Sequence, residues 1–282
     1  MVTVRVPAST SNLGPGFDCL GLALRLYNAV TVSRSRAQSP MPAILDAAAR
    51  LFFKESGIKP FHFHGSITGH VPRSRGLGSS ATLRAGVLLA LNRIAGEPLD
   101  RLSIFRLCAR LEGHPDNSAP AIFGGFTVAQ KESVQRFRVS PRLYFVLLVP
   151  ELEIKTAAAR KILPARIPRQ DAVANCRNAS AITAAFASCN YQALAGAFVD
   201  KLHQPFRARL LPFLPRVIAA AEKAGALGAF LSGSGSTIAA LTLNSPERVG
   251  AAMLAAARSK NARLIITTAD NRGASISTKV DG

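Results

Sequence analysis

The segment Pro72-Arg73-Ser74-Arg75-Gly76-Leu77-Gly78-Ser79-Ser80-Ala81 carries the residue types of an anion site. Gly76 and Gly78 let the main chain approach a ligand closely. The apolar helix expected from about Ser79 to Ile94 would offer unpaired N–H groups and the positive end of its dipole. Ser79 and Ser80 add hydroxyls for a phosphate oxygen or Mg²⁺, and Arg73 and Arg75 raise the local potential. A Walker A loop is excluded, because no lysine follows Gly78. The spacing Gly76-x-Gly78-x-x-Ala81 fits a dinucleotide fingerprint, but Pro72 to Arg75 is polar and basic where that motif needs a buried strand. A plain capped core helix is the remaining alternative.

Carboxylates are scarce: 16 Asp+Glu stand against 35 Lys+Arg, for a net charge of +19. Three of them, Asp18, Glu112 and Asp116, fall in glycine-rich segments, where a casual surface charge is less expected. The charge suits an anionic partner. The arginines are scattered, however, and only 6% of residues are aromatic, which argues against a nucleic-acid surface and for a solvated one. Cys19, Cys108, Cys176 and Cys189 lie far apart, without metal or disulfide spacing, and read as buried free thiols. His62 and His64 share a strand face, yet no third metal ligand is near.

These groups must be held by ordered elements. Strands are expected at Val2 to Val6 and Tyr27 to Ser33, flanking the loop Asn12 to Gly21, and at Phe61 to His64. Helices are expected at Ala43 to Glu55, from about Ser79 to Ile94 and at Leu102 to Leu111, the last running into Glu112 to Asn117. A strand at Phe126 to Gln130 and a buried one from Leu143 to Val149 follow. Helices at Thr156 to Ile162, Ala172 to Phe186, Tyr191 to Leu202 and Leu211 to Lys223 come next. The chain closes with Gly228 to Leu231, Thr237 to Thr242, a helix at Pro246 to Ala257 and Arg263 to Thr267. This is an α+β pattern with a boundary near Pro150, giving domains 1–150 and 151–282. No apolar stretch reaches the roughly 20 residues of a membrane span, and Met1 leads straight into a strand-like run, so a cytoplasmic protein is expected.

The phosphate loop, together with Pro7-Ala8-Ser9-Thr10-Ser11-Asn12-Leu13-Gly14-Pro15-Gly16-Phe17-Asp18, Glu112-Gly113-His114-Pro115-Asp116-Asn117 and Leu231-Ser232-Gly233-Ser234-Gly235-Ser236-Thr237, resembles the GHMP small-molecule kinase superfamily. That superfamily includes homoserine, mevalonate and galactose kinases. The Asn12 to Asp18 motif, Ile154 to Pro164 and His203-Gln204-Pro205-Phe206-Arg207 make the resemblance closest to the homoserine kinases. The resemblance implies a ribosomal-protein-S5-like N-terminal domain, a ferredoxin-like α/β sandwich after it, and a homodimer.

It also implies an ATP-dependent transfer to the hydroxyl of L-homoserine, in threonine biosynthesis, with Mg²⁺ as cofactor. Nucleotide would be held by Pro72, Arg75, Gly76, Leu77, Gly78, Ser79, Ser80, Ala81 and Thr82, and the metal by Ser79 and Glu112. Asn12 and Asp18 would lie beside the substrate ammonium; Thr156, Arg160 and Arg207 would bind its carboxylate. Asp116 and Asn117 would face the attacking hydroxyl, with His114 ordering the loop. Three departures stand out. Ser33 to Pro60 is poorly matched, Ser236 stands where the family usually has Pro, and Thr82 and Arg84 replace small or apolar residues.

Overall fold

The computed structural model describes residues 1–37, 40–259 and 261–278. Strands β1 (Val2–Ser11) and β2 (Leu20–Arg34) pair antiparallel along their length, with a bulge between Pro7 and Ala8. Both outrun the lengths expected from alternation. Ala8 to Ser11 is buried on both faces, so its small polar residues look like loop in the sequence while their hydroxyls find partners inside. β3 (Phe63–Gly69) lies along the distal half of β2, β4 (Phe126–Ala129) along its start, and β5 (Val134–Phe137) beyond β4.

The second sheet holds β6 (Tyr144–Val149), β7 (Gly228–Leu231), β8 (Ile238–Thr242) and β9 (Arg263–Thr268), in the order β7-β8-β6-β9, all antiparallel. β10 (Ser275–Thr278) then returns to the first sheet and pairs with β1. The two sheets exchange chain near residue 150 and again at the last described strand. Tyr144–Val149 belongs to the second sheet, and the last described strand belongs to the first.

Four helices accompany the first sheet: α1 (Ala43–Ser56), α2 (Ser79–Ile94), α3 (Arg101–Glu112) and α4 (Ser118–Phe123). α2 is buried nearly all round and packs on β1 and β2, as a helix without a polar face must. α3 begins at Asp100, whose side chain accepts from Ser103 N–H, and stops at Gly113 in the left-handed conformation. That stop turns the chain into His114 to Asn117 directly after Glu112. α5 (Thr156–Lys161), α6 (Arg169–Ala187), α7 (Gln204–Arg207), α8 (Leu214–Lys223) and α9 (Pro246–Ala257) follow, with α8 and α9 packed on the second sheet. The helix expected at Tyr191 to Leu202 is only a 3-10 turn, Tyr191–Leu194. Gly196 takes φ +77°, and the Asp200 carboxylate draws in the N–H groups of Leu202, His203 and Gln204 instead.

A central core joins the two sheets. Leu20, Leu22 and Phe126 of the first pack with Phe145, Leu147 and Phe230 of the second and with Phe186 of α6. Phe126 and Phe186 stack at 4.2 Å, and Phe198 stacks on Phe230 at 5.3 Å. No helix among the described residues is long and apolar enough to cross a membrane. The described cysteines are all free, but only Cys108 is buried and Cys19 half-buried; Cys176 and Cys189 are exposed. His62 and His64 are both exposed, but β3 starts at Phe63 and not at the expected Phe61, so only His64 lies in the strand.

Candidate active site

A cavity of about 430 Å³ opens between the two halves, walled on one side by Arg73 to Ser80 and on the other by Asp18, Arg160 and Arg207. The phosphate loop is clamped from behind. Ser9 N–H donates to the Leu77 carbonyl at 3.2 Å, Thr237 N–H to that of Arg75 at 3.1 Å, and Ser232 Oγ–H to that of Gly76 at 2.6 Å. A Cβ on Gly76 would lie 2.0 Å from the Ser232 carbonyl oxygen, and one on Gly78 2.1 Å from Ser9 Oγ. These glycines are therefore demanded by the loop's own neighbours as well as by a ligand. Gly78 is also the N-cap of α2, at φ +66°, and supplies no capping side chain. The first N–H groups of α2 are left for an anion.

Not every nucleotide candidate reaches this wall. Pro72, Ala81 and Thr82 do not line the cavity. Ala81 is wholly buried in the core, and the Thr82 hydroxyl donates to the Ser79 carbonyl at 2.7 Å while accepting from Asn28 at 2.8 Å. Arg75 lines the cavity, but its guanidinium turns toward the chain after β6. It donates to the carbonyls of Pro150, at 2.9 Å, and Glu151, and pairs with Glu153 at 3.1 Å.

Ser79, Ser80 and Glu112 bring hydroxyl and carboxylate oxygens to the cavity wall, a donor set that fits Mg²⁺. The Glu112 carboxylate is already engaged: one oxygen accepts from Ser80 Oγ at 2.7 Å, the other from Arg84 Nη1 at 2.6 Å. Among the described residues, the group of three His and carboxylate side chains close enough to share one ion is Asp18, in the opposite wall, with His114 and Asp116.

That opposite wall begins with the loop after β1, where Asn12 and Asp18 adopt φ +69° and +60°. Asn12 Oδ1 accepts from Asp18 N–H at 3.1 Å, and its Nδ2 donates to the Gly233 carbonyl at 3.0 Å. Asp18 receives Arg160 in a two-point pair at 2.6 and 3.0 Å. Phe17 lies beneath both arginines, 5.3 Å from the Arg160 guanidinium and 5.2 Å from that of Arg207. Arg207, 2% exposed, donates to the carbonyls of Ala159 and Gly233 at 3.2 and 2.9 Å. Burial and the neighbouring Arg160 lower its pKa to about 10, so it stays charged at neutral pH. Behind it His203 is wholly buried, which pushes its pKa down to about 4. The neutral ring donates from Nε2 to the Gly14 carbonyl at 2.8 Å and faces Arg207 Nη1 with Nδ1 at 3.4 Å. Thr156 Oγ1 is 3.4 Å from Ser234 Oγ at the rim.

Asp116 and Asn117 sit between the two walls. Asp116, 2% exposed, meets His114 Nδ1 at 2.6 Å. Burial works against protonation of His114, but the hydrogen bond and charge of Asp116 outweigh it and leave the pKa raised. Asn117 accepts from Ser9 Oγ–H at 2.8 Å and donates to Ser11 Oγ at 3.0 Å. The cavity thus gathers Asn12, Asp18, Gly76, Leu77, Gly78, Ser79, Ser80, Glu112, Asp116, Asn117, Thr156, Arg160 and Arg207. Sequence reasoning left out Ser9, Ser11, Phe17 and His203, and placed His114 as a loop-ordering residue rather than a partner of Asp116. Ser9 and Ser11, two apart on one strand face, were the signal available.

Comparison with known proteins places the fold in a family. Residues 43–125 match the GHMP kinases N terminal domain and residues 181–259 the GHMP kinases C terminal model. A homoserine kinase of Moorella thermoacetica is 38% identical over 94% of this chain and 96% of its own. One of Caldicellulosiruptor bescii is 37% identical over 98% and 97%. The crystal structure of homoserine kinase from Cytophaga hutchinsonii superimposes with a TM-score of 0.89 at 26% identity, covering 98% of this chain and 97% of that one. The fold is that of an ATP-dependent kinase acting on an alcohol, and the chain belongs to the GHMP kinase family. Within that family its relatives group it with the homoserine kinases.

Proposed function

We propose that the chain transfers the γ-phosphoryl group of ATP to the side-chain hydroxyl of L-homoserine, giving O-phospho-L-homoserine for threonine synthesis. The observation that carries this reading is the Asp18–Arg160 pair standing across one cavity from the phosphate loop. An α-amino acid holds an ammonium and a carboxylate on one carbon. The ammonium takes Asp18, and the carboxylate takes Arg160 and Arg207, so one internal ion pair is exchanged for two with the substrate. A substrate with only one of those charges leaves a partner unmatched.

With the amino-acid end fixed there, the hydroxyl reaches Asp116 and Asn117, between the acceptor wall and the phosphate loop. Asn117, locked by Ser9 and Ser11, orients the hydroxyl. Asp116 accepts its proton as the hydroxyl oxygen bonds to the γ-phosphorus and the bond from that phosphorus to the bridging oxygen breaks, releasing ADP. The loop N–H groups and Ser80 hold the phosphates, leaving positioning and charge as the main sources of rate. Mg²⁺, held by Ser79 and Glu112, would neutralise charge on the transferred group. An ADP-release assay with ATP and Mg²⁺ across homoserine, serine, threonine and mevalonate tests this. Homoserine should turn over fastest, with O-phosphohomoserine as product; no turnover above a heat-killed control, or a preference for mevalonate, would sink it.

A further inference from the structure

Arg84 takes no part in the transfer as described, yet it holds one of the residues that does. It stands one helical turn after Ser80 on α2, so the two share a face. They divide one carboxylate between them, Ser80 on Oε2 and Arg84 on Oε1 of Glu112. Glu112 needs such partners. Its side chain is only 7% exposed, and it is the last residue of α3, where the negative end of the helix dipole disfavours a carboxylate. Unpaired, it would also face the phosphates of a bound nucleotide. Ser80 and Glu112 line the cavity while Arg84 stands behind them, with its Nε buried and without a hydrogen-bond partner among the described residues. Arg84 therefore reaches the site through Glu112.

We propose that Arg84 is a permanent counter-ion for Glu112, which lets the donor pocket accept nucleotide without a metal and loosens the dependence of nucleotide binding on Mg²⁺. In its absence, the buried Glu112 charge would repel the phosphates until a divalent cation neutralised it. With the pair formed, the Glu112 charge is neutralised before any metal arrives, and Mg²⁺ gains less from Glu112. Metal and nucleotide are then weakly coupled through this residue, and by reciprocity each strengthens the other less.

The inference rests on the donor pocket proposed above. ADP affinity is measured by calorimetry, with EDTA and with saturating Mg²⁺, for the wild type, Arg84→Met and the double variant Arg84→Met/Glu112→Gln. Arg84→Met should weaken metal-free ADP binding by about tenfold or more and binding with Mg²⁺ by less than about threefold. The double variant removes the stranded charge and should regain metal-free affinity within about threefold of wild type, and it carries the test if Arg84→Met fails to fold. Equal weakening with and without metal, no weakening in either, or a double variant that stays tenfold weak would overturn the inference, the last by showing that Arg84 contacts the phosphates itself. ADP binding by none of the proteins under either condition would instead overturn the donor-pocket reading beneath it.

Discussion

Asp116 and His114 share a short hydrogen bond at the floor of the cavity, and both are largely shielded from water. A histidine whose pKa is raised on folding binds its proton more tightly in the native state than in the unfolded chain. It therefore stabilises the fold fully below the unfolded value of about 6.5 and loses that contribution as pH rises through the higher native value. Replacing His114 with Asn should lower the melting temperature most at mildly acidic pH, and the gap from wild type should close as pH rises. A gap independent of pH would contradict the pairing. The same residue shows where the sequence stopped informing. Its place in Glu112 to Asn117 is legible, but the direction of its ring depends on how the αL turn at Gly113 aims the following residues. Arg75 is a second instance: a basic residue beside a phosphate loop reads as a phosphate ligand, whereas the carbonyls of Pro150 and Glu151, far along the chain, claim it.

Among the elements, α2 and the turn between β7 and β8 are joined back to back through Gly76. Gly76→Ala places a methyl group against the Ser232 carbonyl and also forces a non-glycine residue to φ +73°. The left-handed backbone alone costs about 1–2 kcal/mol, and the contact adds to it. Gly57, at φ +67° with open space around it, bears only the backbone part and serves as the control. Urea unfolding should show a clearly larger loss for Gly76→Ala than for Gly57→Ala, with ADP affinity reduced in the first alone. Equal losses would mean that the loop yields to the turn. Element boundaries were most legible where local chemistry sets them. The expected span of α2 from about Ser79 to Ile94 was met, as was that of α9 from Pro246 to Ala257. Legibility failed where partners are remote: β10 is short and exposed along its length, and β1 gives it a reason to be a strand.

In the whole molecule, the layer of Phe126, Phe145, Phe186 and Phe230 packs the two sheets on one core, although the family models divide the chain into two regions. Calorimetry should record a single transition. Phe186→Ala should lower stability by about 3–5 kcal/mol while keeping that transition single; a protein that melts in two steps would show that the halves stand independently. The two-layer α+β plan was readable from the run of helices and strands, but the fusion of the halves was not, because hydrophobic pattern tells that a face is buried and not what buries it.

The pairing of β10 with β1 ties Val2 to Thr278 in one register. A ribosome makes the phosphate loop early, but it cannot give β1 its second neighbour until Ser275 to Thr278 have left the exit tunnel. During synthesis the first sheet therefore waits with one strand edge open until the second has been made. The strand read last is the one that closes the sheet begun by the strand read first.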